Sequence, residues 1–265
     1  MKRLKLKPSR LVEIRDMLAN DLMSAARNRA GLPPYMKVVA ESMSLIVKSA
    51  PVWWVSRDMG KLVMSVDPDD VPRVDPSTRS GFLVFEGDLP IESSRGVRLR
   101  GMIWNVGADE MYTVAPLTCD KAALKKCGDR LIPIAPMDDD DSAEVLDAAL
   151  SVAYVVWALS SQPVTCDVVE HRWRRDSGTP AGVKPPKEAR TVKMLILREH
   201  RDPGQGPGRQ GEAHYSHRFI VRGFWRNQPY GPRNSLRRKQ WIPPYVKGPA
   251  DKPLVVKETV RIWRR

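Results

Sequence analysis

His214 and His217 lie just ahead of Arg218, Arg222 and Arg226, and Tyr230, Tyr245 and Lys247 follow within the same segment. These residue types can handle a phosphodiester without a metal. A ribonuclease of that kind needs a base for the 2′-hydroxyl, an acid for the leaving oxygen and cations for charge developing around phosphorus. Here His217 or His214 is the candidate base, Arg222 and Arg226 are candidate phosphate clamps, and Lys247 or Tyr245 is the candidate acid or stabiliser. The same residues also suit a surface that binds RNA or DNA and cleaves nothing, and no spacing among them fixes a shared site. Carboxylates are scarce around them, which argues against a two-metal nuclease centred there.

This segment is the most basic part of the chain. From His214 to Arg265 there are 13 Lys and Arg against only Asp251 and Glu258. The 265 residues together carry a net charge of +13, so residues 1–213 account for only +2. Aromatic residues are interleaved with the charges, and the apolar runs between them have strand-like alternation. Such a segment is expected to fold into a surface for a polyanion. The expected nucleic-acid contacts are Arg218, Arg222, Phe224, Arg226, Arg233, Arg237, Arg238, Lys239, Lys257, Arg261 and Trp263. Two other uses remain open: a basic face of an inhibitor or assembly protein that meets an acidic protein partner, and solvated charge on the polar side of an ordinary sheet.

Alternation from His217 to Arg226 predicts one strand with Arg218, Ile220, Arg222, Phe224 and Arg226 on one face. The three arginines, spaced by four, would also align on a helix, but Gly223 and the β-branched and aromatic content favour a strand. Leu254 to Arg264 alternates as well, with Lys257, Arg261 and Trp263 on its basic side. Laid side by side, the two strands would form one basic face with rings on which bases stack. Gln228 to Pro232 is the expected turn, and Arg233 to Lys239 the expected phosphate-gripping loop. Pro243 and Pro244 exclude a central strand there. The run RGFWRNQPYGPRNSLRRKQWIPPYVKGP, with PLVVKETVRIWRR at its end, resembles the C-termini of uncharacterised bacterial and phage proteins. That resemblance covers the C-terminal segment alone; it implies a bacterial or phage origin and carries no activity.

The remainder of the chain must supply a scaffold. A helix is expected from an N-cap at Ser9 to about Ala30, and a second over Tyr35 to Lys48 with Val38, Val39, Met43 and Ile46 inward. Strands are expected at Val52 to Val55, Lys61 to Val66, Gly81 to Glu86, Val97 to Val106 and Glu110 to Ala115, with a hairpin turn over Asn105 to Glu110. The aspartates of Asp138 to Asp141 suit the positive end of a following helix, and their spacing is not that of a calcium loop. That helix, Ser142 to Ser161, is apolar nearly all round and is expected to be buried. A strand is expected over Val164 to Arg174, then a Gly- and Pro-rich linker over Asp176 to Ala189. The organisation implied is an α+β domain over residues 1–175, in which N-terminal helices and a mixed sheet pack on a buried helix. A linker or long loop follows over 176–189, and a basic β-rich module over 190–265, appended to the sheet or continuous with it.

Other chemistries find little support. Cys119, Cys127 and Cys166 have neither the close pairing of zinc sites nor the density of a disulfide framework, so no metal or cofactor is expected and a reducing compartment is. A G-x-S-x-G elbow is absent, and the glycines of Gly204 to Gly211 do not follow a strand into a helix as a phosphate loop requires. The basic start MKRLKLKPSR lacks the apolar core of a secretory signal, and no stretch is expected to span a membrane. The expected location is cytoplasmic.

Overall fold

The computed structural model describes residues 7–28, 30–91, 98–118, 131–134, 140–172, 191–198, 215–249 and 251–256. A 3-10 turn over Pro8–Arg10 leads into α1 (Leu11–Asn28), and α2 (Pro34–Ser49) follows. Ser9 lies inside the 3-10 turn and does not cap the helix, because Pro8 presets the dihedral that starts the turn one residue earlier. The Ser44 hydroxyl donates to the Ala19 carbonyl at 2.7 Å and is buried where the two helices meet. Of the expected inward face of α2, Met43 and Ile46 do pack on the core, but Val38 and Val39 face outward with Tyr35 and Leu45. The inward positions are taken by Ser44 and Val47.

β1 (Val52–Val55) is central to a seven-stranded sheet with β2 (Ser80–Pro90), β3 (Arg98–Val106), β4 (Tyr112–Thr118), β5 (Ile132–Pro133), β6 (Cys166–Arg172) and β7 (Thr191–Leu197). The strand order is β5-β4-β3-β2-β1-β7-β6. β1 runs parallel to β2 and β7, and every other pairing is antiparallel. The sheet is therefore mixed and the fold α+β. Its strands are apolar on both faces because both are covered. Val52, Trp54, Phe82, Val84, Ile103 and Val192 pack against α1 and α2. Trp53, Val55, Leu83, Phe85, Met102, Trp104 and Leu195 pack on the opposite side. There they meet α3 (Arg57–Ser65) and α4 (Asp140–Ser160).

One expectation is corrected here. Lys61 to Val66 belongs to α3 and not to a strand, since Met59, Leu62 and Val63 fall on one helical face and are all buried. β7, which opens the 190–265 segment, lies inside the main sheet between β1 and β6; the 176–189 segment lies outside the described residues. By length and composition alone, Ala143–Ser160 is long and apolar enough to cross a membrane. In this fold Val145, Ala149, Ala153, Val156 and Trp157 of that helix are buried against the sheet.

After β7 the described chain resumes as a pair of ribbons. β8 (Phe219–Val221) pairs with β11 (Tyr245–Lys247), and β9 (Phe224–Tyr230) with β10 (Leu236–Ile242), both antiparallel. Val221 faces Tyr245 and Phe224 faces Ile242, so both ribbons keep one register and form a single long hairpin interrupted once. The interruption is Arg222–Gly223 on one strand opposite Pro243–Pro244 on the other. Two prolines remove two ladder donors. A Cβ on Gly223 would also lie 2.9 Å from both the Ile242 carbonyl oxygen and Pro244 Cδ. The expected continuous strand from His217 to Arg226 is thus broken at its middle.

Candidate nucleic-acid interface

The joint divides the hairpin into a root and an arm with different duties. The root is docked on the α3 and α4 side of the sheet. Val246 of the root and Leu254 beyond it are buried in that core, as is Trp241 at the base of the arm, and Ile220 packs against it. Thr165 Oγ1 donates to the Pro244 carbonyl at 3.3 Å. Leu254 reaches its place through a parallel bridge to Arg218.

Two of the expected nucleic-acid contacts, Arg218 and the candidate clamp Arg222, serve this docking. Arg218 Nη2 pairs with Asp58 at 2.9 Å, and its Nε donates to the Lys252 carbonyl at 2.7 Å. Only 17% of the Arg218 side chain is exposed. Arg222 pairs with Asp70, and that hydrogen bond holds the guanidinium pKa above its ordinary value. Asp58 lies in α3 and Asp70 in the 3-10 turn at Pro68–Asp70, so both arginines fasten the hairpin to the body. Arg222 is nevertheless 74% exposed, which leaves part of its charge facing solvent.

The candidate catalytic residues described here lie at the root. Phe219 faces Lys247, and the ring of His217 is 6.3 Å from that of Phe219. Tyr215 packs on Phe219 at 5.1 Å, and Lys247 Nζ lies 5.8 Å from the Tyr215 ring centroid. Ser216 Oγ is 3.1 Å from His217 Nδ1. Tyr245 is two residues from Lys247 on the same strand and so shares its face. His217, Lys247 and Tyr245 therefore come to one end of the hairpin. His214, Lys257, Arg261 and Trp263 lie outside the described residues.

The arm is built differently. Residues 224–242 contain Arg226, Arg233, Arg237, Arg238 and Lys239 and no carboxylate. All five are exposed, and among the described residues none pairs with an acid. Phe224, Trp225, Tyr230 and Leu236 are also exposed, at 50%, 50%, 42% and 49%. Register assigns the faces. Phe224, Arg226, Gln228 and Tyr230 lie opposite Ile242, Gln240, Arg238 and Leu236 on one face; Trp225, Asn227 and Pro229 lie opposite Trp241, Lys239 and Arg237 on the other. The guanidinium of Arg238 sits 5.7 Å from the Tyr230 ring centroid, which lays it along the first face.

The tip reverses the chain over Gly231–Ser235. Gly231, Arg233 and Asn234 have φ of 78°, 51° and 56°, the left-handed region. Asparagine tolerates this conformation better than other non-glycine residues, whereas arginine at φ 51° is strained. The turn thereby carries a cation, Arg233, at the end of the arm.

Two expectations about this stretch are corrected. The turn begins after Tyr230 and not at Gln228, and Arg237, Arg238 and Lys239 are strand residues rather than part of a loop. Pro229 is accommodated because an isolated two-stranded ribbon leaves one edge of each strand unpaired. Gln228, Gln240, Trp225 and Tyr215 were missed. For the glutamines the signal is the Arg-x-Gln triplet at both 226–228 and 238–240, which antiparallel pairing sets as Arg226 opposite Gln240 and Gln228 opposite Arg238; no spacing marks Trp225 or Tyr215.

Among the described residues no cluster of His, Cys, Asp or Glu is placed to hold a metal ion. Comparisons with models of known families, with curated proteins and with solved structures give no match.

Proposed function

We propose that the protein binds nucleic acid through the arm of the C-terminal hairpin. One observation carries the reading. The body neutralises its own charges with local pairs such as Arg79–Glu110, Arg100–Asp88 and Arg198–Asp167, whereas the projecting arm exposes five cations with no acid among them. Uncompensated charge on an exposed element costs stability through self-repulsion and is relieved when a polyanion arrives. The exposed rings beside the cations add stacking surface. An acidic protein surface would also satisfy the charge; the exposed rings interleaved with the cations favour a polyanion that also carries bases.

A second reading, metal-independent cleavage of RNA, rests on the placement of His217, Lys247 and Tyr245 at the same end of the hairpin. One experiment addresses both. The purified chain is incubated with EDTA and labelled RNA, single-stranded DNA or duplex DNA, and retardation and cleavage are scored together. Retardation that weakens with salt is expected, with the slope against log salt reduced by about one for each of Arg233, Arg237 and Lys239 changed to Gln. Cleavage that persists in EDTA and is lost in His217→Ala would bring the ribonuclease reading forward. No retardation at low salt would refute nucleic-acid binding.

A further inference from the structure

Resting on that reading, we infer that the arm is a reader of duplex DNA that lies in the major groove with its Arg226–Gln228–Arg238–Gln240 face against the base edges. The first ground is the distribution of charge around the ribbon. Arg226 and Arg238 are on one face, Arg237 and Lys239 on the other, and Arg233 is at the tip. A single strand stacked on one face would leave the opposite cations facing water. A groove has a phosphate backbone on each side, so cations on both faces and at the tip have partners within reach of their long side chains.

Dimensions agree. A two-stranded ribbon fits a B-form major groove about 12 Å wide, whereas the A-form major groove of duplex RNA is deep and too narrow for side chains to read. Each strand of the arm has seven residues. At about 3.4 Å per residue that is roughly 24 Å, the length of about seven base-pair steps. Residues two apart on one face are about 7 Å apart, close to two such steps.

The chemistry of the inner face is the second ground. Its centre holds two cross-strand pairs, Arg226 with Gln240 and Gln228 with Arg238. Arginine matches the paired acceptors of guanine, and glutamine matches the acceptor and donor of adenine, each by two hydrogen bonds. Glutamine brings an acceptor beside its donors, and a surface built only for phosphate has no use for that acceptor. Tyr230 and Leu236 at the tip end, and Phe224 and Ile242 at the joint, bracket these four with apolar groups suited to thymine methyl contacts. The ribbon is also anchored in a fixed direction by Arg218 and Arg222 at its root, which limits the entropy lost when it docks.

The test is selection of bound duplexes from a random-sequence DNA library by the full chain, with retardation of single-stranded DNA and duplex RNA of equal length in parallel. The expected result is enrichment of a short motif containing G and A, bound about a hundredfold more tightly than shuffled duplex. Gln228→Ala with Gln240→Ala should reduce that preference by about tenfold per lost contact while leaving the salt dependence unchanged. Arg237→Gln with Lys239→Gln should weaken all duplexes equally. If nucleic acid is bound but no motif is enriched, or if single-stranded DNA or RNA is preferred, the duplex-reading inference is overturned and the binding function stands. If nothing is bound, both fall.

Discussion

A guanidinium in this chain is either a fastener or an open charge, and its neighbours decide which. Arg218 meets Asp58 and a carbonyl at a largely buried position, and Arg15 is fully buried with Nη1 donating to the Ala50 carbonyl at 3.0 Å and Nη2 paired with Asp16 at 2.7 Å. Arg233 is held open at the tip in a left-handed backbone. Fold and function pull apart at this residue. Arg233→Gly should raise thermal stability by about 0.5–1 kcal/mol by relieving the strain, yet weaken binding of every nucleic acid, as melting and retardation of the same preparation would reveal. A second prediction concerns Tyr112, whose hydroxyl donates to the Asp75 carboxylate. That bond, with some desolvation and the charge of Asp75, pushes its pKa from 10.0 up to about 12. The fold holds the protonated form more tightly than the unfolded chain does. Its contribution is therefore complete below pH 10 and is lost as pH rises toward 12. Subtracting the alkaline titration of Tyr112→Phe from that of the parent, followed at the phenolate absorbance, should leave a single late transition. A difference centred near pH 10 would contradict the bond.

At the scale of elements, the close contacts define what each strand tolerates. A Cβ on Gly81 would lie 2.1 Å from the Trp104 ring, its cross-strand partner, and Trp104 in turn packs on Trp53 and Trp157 and donates from Nε1 to the Thr78 carbonyl at 3.0 Å. Gly81→Val should displace that ring, alter the near-ultraviolet circular dichroism and cost about 2–4 kcal/mol in urea unfolding. Most elements were legible in sequence because their apolar runs are long: VWWV, GFLVFE and the helix after Asp141 need no context. Leu62–Val63–Met64 was not, since three apolar residues in a row fit either period and only the burial of Met59 decides for a helix. The basic tail was legible as a concentration of uncompensated cations and aromatic rings. Its division into root and arm was not, because Asp58 and Asp70 lie 160 and 152 residues from the arginines they hold. Spacing within the tail carries no trace of such partners. Register told where Gln228 and Gln240 belong, and register required knowing where the turn begins.

Over the whole molecule, a nearly neutral body carries a strongly basic projection, and the two differ in what they contribute. Replacing Asn227 to Lys239 by Asn-Gly, a two-residue turn, should leave cooperative unfolding intact within a few degrees, because Trp241, Val246 and Leu254 stay in the core. Nucleic-acid retardation should vanish. A large fall in melting temperature would mean that the arm supports the fold. The central place of β1 has a consequence of another kind. Val52 pairs with Val192, so about 140 residues must leave the ribosome between a strand and its neighbour. At typical synthesis rates that interval is on the order of ten seconds, during which Val52–Val55 has one edge without its final partner. The nascent chain is thus exposed to aggregation and to chaperones for most of its production, and expression yield should respond to chaperone supply more than the stability of the finished protein suggests.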